Sequence, residues 1–77
     1  MSEALRLYND RFAVGNPRSP EYKAGARYCL RYHAGEIPRA GCPYPMGTAQ
    51  ADAWLAGCWE GTELWRYAHP ATADGSA

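Results

Sequence analysis

The chain has 77 residues, enough for one domain with a modest core. Apolar residues make up 47% of it, and three Trp, six Tyr and one Phe predict an aromatic core. The formal net charge is zero, which argues against the uniformly basic surface of a free-standing RNA binder. No stretch approaches the roughly 18 apolar residues of a membrane span.

Charge is unevenly distributed along the chain. Residues 1–40 hold seven of the eight basic residues and four acidic ones, a net of +3, whereas residues 41–77 hold Arg66 and four acidic residues, a net of −3. This pattern indicates either a dipolar surface or two halves that neutralise each other in the fold. The three cysteines, an odd number without a signal peptide, favour a reducing compartment, so we expect a cytoplasmic protein.

The first segment, residues 3–14, has two interpretations. Leu5, Tyr8 and Phe12 have helical spacing, with Ser2 as N-cap and Gly15 as a stop. The same residues also fit a hairpin around Asn9-Asp10. We favour the helix slightly.

The second segment predicts a helix from Pro20 to about Ala34, with Ser19 as N-cap and Gly35 as C-cap. Small and aromatic residues fall on one side of this helix: Tyr22, Gly25, Ala26, Cys29 and His33. Basic residues spaced four apart form a stripe on another side: Lys23, Arg27 and Arg31.

Residues 35–47 are rich in Gly and Pro and exclude a helix. Within them, Cys42-Pro43-Tyr44-Pro45 predicts a stiff turn, with Cys42 as a small buried residue and Tyr44 packed on the next helix.

The third segment predicts a helix from Ala49 to about Tyr67, capped by Thr48 and ended by His69-Pro70. One face of it should carry Ala51, Trp54, Leu55, Cys58, Thr62 and Trp65. An acidic outer face should carry Asp52, Glu60 and Glu63. We predict a single domain over residues 1–70 and a disordered tail over residues 71–77.

Three short motifs together resemble the ribosome modulation factor family. They are Tyr22-Lys23-Ala24-Gly25, Cys42-Pro43-Tyr44, and Trp54-Leu55 with Gly57-Cys58-Trp59. In that family a first helix leads to Cys-Pro-Tyr, and a second helix carries Trp-Leu and a Gly-Trp pair. The resemblance covers about residues 20–61. It implies an all-α fold of two main antiparallel helices joined by the Cys-Pro-Tyr turn, with the N-terminal element packed on them.

The resemblance also implies a non-enzymatic module that occludes a site on a large ribonucleoprotein, the ribosome. The partner-binding residues expected for this role are Lys23, Arg27, Arg31, Tyr28 and Tyr32, because guanidinium and phenol groups contact RNA phosphates and stack on bases. The residues expected to be structural are Cys42, Pro43, Tyr44, Trp54, Gly57 and Trp59.

Two alternatives stay open. Typical members of the family are strongly basic, whereas this neutral chain also fits a phage- or plasmid-encoded inhibitor of a host defence complex, similar to an anti-CRISPR protein. Such an inhibitor would act by steric block or through acidic mimicry of nucleic acid by Asp52, Glu60 and Glu63. The resemblance further reaches relatives linked to fluoroquinolone resistance, which implies a small drug-modifying enzyme.

The residues themselves give little support to catalysis or to a cofactor. The phosphate-binding pattern Gly-x-x-x-x-Gly-Lys is absent. Cys29, His33, Cys42 and Cys58 could in principle surround zinc, but there is no Cys-x-x-Cys pair, and cysteines are common as small buried residues. We therefore expect three free thiols, with no metal and no cofactor.

Overall fold

The computed structural model describes residues 2–70, and these form three helices and no strand. The helices are α1 (Glu3–Arg11), α2 (Pro20–His33) and α3 (Ala49–Ala68). The predicted all-α class and the N-terminal element packed on two main helices are confirmed. The hairpin alternative for residues 3–14 is wrong. The predicted tail, residues 71–77, lies outside the described part of the chain.

Each helix begins with a hydroxyl cap that the sequence predicts. The Oγ atom of Ser2 accepts a hydrogen bond from the Leu5 N–H at 3.2 Å, and the hydroxyls of Ser19 and Thr48 do the same for α2 and α3. These caps satisfy N–H groups that have no partner inside the helix. The predicted starts of all three helices are therefore correct.

Helix α2 ends in a Schellman motif. The N–H of Gly35 donates to the Tyr32 carbonyl at 3.0 Å, and the N–H of Glu36 donates to the Arg31 carbonyl at 2.9 Å. Gly35 has a φ of +77°, which favours glycine. The helix thus stops one residue before the predicted Ala34.

Helices α2 and α3 touch through their backbones. Gly25 lies against the Trp54 carbonyl, Gly57 against the Tyr22 carbonyl and Gly61 against the Ala26 carbonyl. A Cβ atom added at any of these glycines would overlap the facing carbonyl oxygen. Gly57 and Gly61 therefore lower the intrinsic helix propensity of α3, but they permit a backbone contact that a residue with a Cβ atom would prevent.

The predicted antiparallel direction of the two main helices is wrong. Gly57 meets Tyr22, and Gly61, one turn later, meets Ala26, one turn later on α2. Contacts that advance together along both helices require α2 and α3 to point the same way. The expectation failed because motif spacing fixes which residues are helical, but it does not fix the path of the connection.

The connection, residues 34–48, returns alongside α2 so that α3 can start near the beginning of α2. The Tyr28 hydroxyl donates to the Ala40 carbonyl at 2.9 Å and accepts from the Ala40 N–H, which holds the returning segment on α2. At the end of the connection the Thr48 hydroxyl donates to the Pro45 carbonyl at 2.7 Å while it caps α3. One side chain thus joins the proline turn to the helix.

Helix α1 and its C-cap residue Phe12 contact both other helices. Phe12, which is buried, packs against Tyr8 and Tyr22 with ring centroids 5.2 and 6.2 Å apart. The Glu60 carboxylate of α3 accepts a hydrogen bond from the Tyr22 hydroxyl at 2.5 Å and forms an ion pair with Arg11. Burial, and then the Glu60 carboxylate, raise the pKa of Tyr22, so the phenol keeps its proton. Glu60 therefore links the three helices.

In the described part of the chain, no helix is both long and apolar enough to cross a bilayer.

Replacement of the contact glycines tests the backbone contact. We expect Gly25→Ala and Gly57→Ala each to destabilise the fold by about 2 kcal/mol or more, because the new methyl group forces the helices apart. In a domain of this size that loss lowers Tm by roughly 8–16 °C. Thermal unfolding followed by circular dichroism measures it.

Gly41→Ala is the matched control, because nothing lies within 4 Å of a Cβ at that position and its φ is not positive. Its Tm should stay within a few degrees of wild type. Equal Tm values for Gly41→Ala and Gly57→Ala would contradict the close contact.

Removal of the Glu60 charge tests the link between the helices. The Glu60 side chain is 16% exposed, whereas Glu63 is 36% exposed and, within residues 2–70, pairs only with Arg66 one turn away. We expect Glu60→Gln to cost about 1–2 kcal/mol, and Glu63→Gln to cost less than about 0.5 kcal/mol. Urea unfolding of the two variants gives the comparison, and equal losses would argue against a special role for Glu60.

Candidate functional site

The outward side of α2 carries the predicted basic stripe. Lys23 is half-buried and Arg27 is exposed, and neither forms an ion pair with any residue between 2 and 70. Arg31 differs, because its Nε atom lies 3.1 Å from Glu36 Oε1. Hydrogen bonds from Ser2 and then from Arg31 lower the pKa of the Glu36 carboxyl, which stays ionised beside the guanidinium. Two of the three predicted cations are thus available to a partner.

The two predicted tyrosines lie along one edge of this surface. The rings of Tyr28 and Tyr32 stack with centroids 6.3 Å apart and planes 9° apart, and Tyr28 also packs on Trp54 at 5.2 Å. Tyr28 holds the connection through its hydroxyl, so its role is structural. Tyr32 is half-buried and presents an aromatic surface beside the basic stripe.

A cleft of about 530 Å³ opens next to the tyrosines, between the returning connection and the helix pair. Helices α2 and α3 line one side with Tyr28, Cys29, Tyr32, His33, Trp54, Leu55, Cys58 and Thr62, and the connection lines the other with residues 39–42. This volume lies within the usual range for small-molecule sites.

Arg39 contributes a third cation that the sequence analysis did not select. It is exposed, lines the cleft, and has no ion pair within residues 2–70. In the sequence it is an isolated arginine in a loop, eight residues after Arg31. Only the return of the connection along α2 brings it to the cleft that Tyr32 also lines.

His33 closes one end of the cleft. Its Nε2 atom lies 3.1 Å from the Thr62 hydroxyl. Burial, and then the nearby positive charge of Arg66, lower the pKa of His33, so its imidazole is neutral at pH 7. His33 therefore adds no positive charge to the lysine and arginine side chains of the basic stripe and the cleft.

The acidic outer face predicted for α3 is smaller than expected. Asp52 is exposed and Glu63 is half-buried, and the Oε1 atom of Glu63 lies 3.3 Å from Arg66 Nη1. Glu60 does not belong to this face, because its carboxylate turns towards Arg11 and Tyr22. Helical spacing alone could not show that α1 packs on that flank of α3.

The predicted structural residues fall into two groups. Trp54 and Gly57 are buried, and Cys42 and Tyr44 are half-buried. Pro43 is exposed, and Trp59 has 68% of its surface accessible. Leu55, expected on the same face as Trp54, is 41% exposed. The second Trp of the motif therefore lies on the surface, and α3 presents an apolar patch of Leu55 and Trp59.

The cysteines differ from the expectation of three free thiols. Cys29 and Cys58 form a disulfide across the α2–α3 contact, with Cα atoms 5.1 Å apart, and Cys42 is free. Of the four residues considered for zinc, two are thus bonded to each other. Among residues 2–70 no group of three or more His, Cys, Asp or Glu side chains is arranged to hold a metal ion.

Comparisons of the chain with protein-family models, with curated proteins and with solved structures found no match. The resemblance to ribosome modulation factors therefore stays a prediction that rests on the residues quoted for it.

Thiol titration tests the disulfide. In denaturant without reductant we expect one reactive thiol per chain, from Cys42, and three after reduction. Reduction should lower the free energy of unfolding by about 3–4 kcal/mol, because the bond closes a loop of 29 residues in the unfolded chain. Three thiols in protein purified without reductant would contradict the pairing.

Proposed function

We propose that this chain is a non-catalytic binding module that occupies a site on a large ribonucleoprotein, with the outward side of α2 and the adjoining cleft as its contact surface. The observation that carries the proposal is a set of three cations that form no ion pair in the described residues: Lys23 and Arg27 on the outward side of α2, and Arg39 in the cleft that the stacked tyrosines also line. The resemblance to ribosome modulation factors implies that this ribonucleoprotein is the ribosome.

Cations and stacked aromatic rings together match the chemistry of exposed RNA. Lysine and arginine side chains contact phosphates, and a tyrosine ring or a guanidinium plane stacks on an unpaired base. Tyr32 is supported from behind by Tyr28, which the connection fixes. The ring is therefore held in place before a partner arrives, which reduces the entropy lost on binding.

The neutral net charge is compatible with this role because the cations are concentrated locally. Three of the four acids of the first 40 residues are paired without engaging Lys23 or Arg27: Glu3 and Asp10 pair with Arg6, and Glu36 pairs with Arg31. The outward side of α2 thus keeps a local positive potential. The acidic-mimicry alternative has less support, because only Asp52 and Glu63 face outward on α3.

Co-sedimentation with purified bacterial ribosomes tests the proposal. The triple variant Lys23→Ala/Arg27→Ala/Arg39→Ala should bind at least about tenfold more weakly, a loss of about 1.4 kcal/mol. Three phosphate contacts also predict a slope of log K against log salt concentration of roughly −2 for single-stranded RNA. The triple variant should flatten that slope.

A matched pair of single variants controls for general charge effects. Arg27→Ala and Arg6→Ala each remove one exposed helical arginine, but Arg6 lies on α1 and pairs with Glu3 and Asp10. Only Arg27→Ala should weaken binding. Failure of the wild-type protein to co-sediment, or equal losses for the two variants, would overturn the proposal. A protein partner captured from lysate after RNase treatment, and retained by the triple variant, would instead favour the inhibitor alternative.

A further inference from the structure

The outer face of α3 carries an acidic and a basic residue at equal distances on either side of a central Trp. Trp59 is at its centre, Asp52 lies seven residues before it, and Arg66 lies seven residues after it. Seven residues are about two helical turns, so all three side chains fall on one stripe of the helix. The face therefore has an acid at its N-terminal end, an exposed aromatic ring at its middle and a base at its C-terminal end.

No part of residues 2–70 covers this face. Trp59 is 68% exposed, Leu55 is 41% exposed, and Asp52 and Ala56 are exposed. The Arg66 side chain is 57% exposed, and its ion pair with Glu63 is a surface pair that contributes little stability. Adjacent exposed apolar side chains are typical of an interaction surface, and Trp is enriched among the residues that contribute most to binding.

We propose that α3 pairs antiparallel with α3 of a second copy of this chain, around a two-fold axis at Trp59. In that arrangement Asp52 of each copy lies opposite Arg66 of the other, so that two ion pairs form by symmetry. The two Trp59 rings meet at the axis, and the opposed helix dipoles also favour the antiparallel direction. A parallel pair would instead place Asp52 against Asp52 and Arg66 against Arg66, which is unfavourable.

Asp52, Trp59 and Arg66 repeat every seven residues, so the contact follows one stripe of α3. The contact spans about 21 Å of helix, two heptads. A contact of this length is small for a stable complex, so the dimer forms weakly and only at high protein concentration.

The pairing leaves the basic stripe of α2 uncovered, although the paired face borders the cleft at Leu55. The outer face of α3 points away from α2, which contacts α3 through Gly57 and Gly61 on the other side. A dimer therefore presents two copies of the outward side of α2, and its formation does not depend on the function proposed for that side.

A charge-reversal cycle tests the arrangement by sedimentation equilibrium between about 10 µM and 1 mM. The wild-type average mass should rise towards that of a dimer with concentration. Asp52→Arg and Arg66→Asp should each weaken association at least about tenfold, because each places like charges opposite each other twice. The double variant Asp52→Arg/Arg66→Asp should restore association to within about threefold of wild type.

Glu21→Arg is the matched control for Asp52→Arg, because it reverses an acidic residue in the first turn of α2, away from the face. It should leave association unchanged. If Asp52→Arg lowers Tm, Ala56→Arg at an exposed position of the same face supplies a second disruption without touching either ion pair. A wild-type protein that stays monomeric up to 1 mM overturns the proposal, as does a double variant that associates as weakly as the singles.

Discussion

The backbone contact between α2 and α3 is the constraint on which the rest of this structure depends. Three glycines, Gly25, Gly57 and Gly61, each meet a carbonyl group of the facing helix where a side chain would not fit. The buried apolar side chains are few, and Leu30 is the largest that is fully buried among residues 2–70. A domain this small has little core volume to stabilise it. It depends more on the close backbone contact of the two helices, on the Cys29–Cys58 disulfide and on the Glu60 carboxylate that links the helices.

The direction of that contact explains the remaining architecture. Because α2 and α3 run the same way, the chain must return over a distance of one helix before α3 begins. Residues 34–48 make that return, Tyr28 holds it against α2, and the space left beside it is the cleft. The same return carries Arg39 to the cleft, so a topological requirement also assembles the candidate site. On the far side of α3 nothing in the described residues packs, which leaves Trp59 exposed.

Local signals in the sequence were sufficient for the helices and insufficient for their arrangement. The caps Ser2, Ser19 and Thr48 act through hydrogen bonds within a few residues, so the start of each helix could be predicted. The ends of α2 and α3 were predicted to within one residue, whereas α1 ends at Arg11, three residues before the predicted limit. Glu60 could not be placed, because its partners Arg11 and Tyr22 are far away in the chain. The same holds for Arg39 in the cleft and for the Cys29–Cys58 pair. The stripe of Lys23, Arg27 and Arg31 followed from spacing, but the neutralisation of Arg31 depends on the turn that brings Glu36 back.

The most direct test of this account is a nuclear Overhauser spectrum that reports which backbone protons meet across the α2–α3 contact. The parallel arrangement predicts cross-peaks from the Gly57 Hα protons to Tyr22 and from the Gly61 Hα protons to Ala26. Cross-peaks from Gly57 to Ala26 together with Gly61 to Tyr22 would show antiparallel helices. That result would remove the returning connection, the cleft and the placement of Arg39 together.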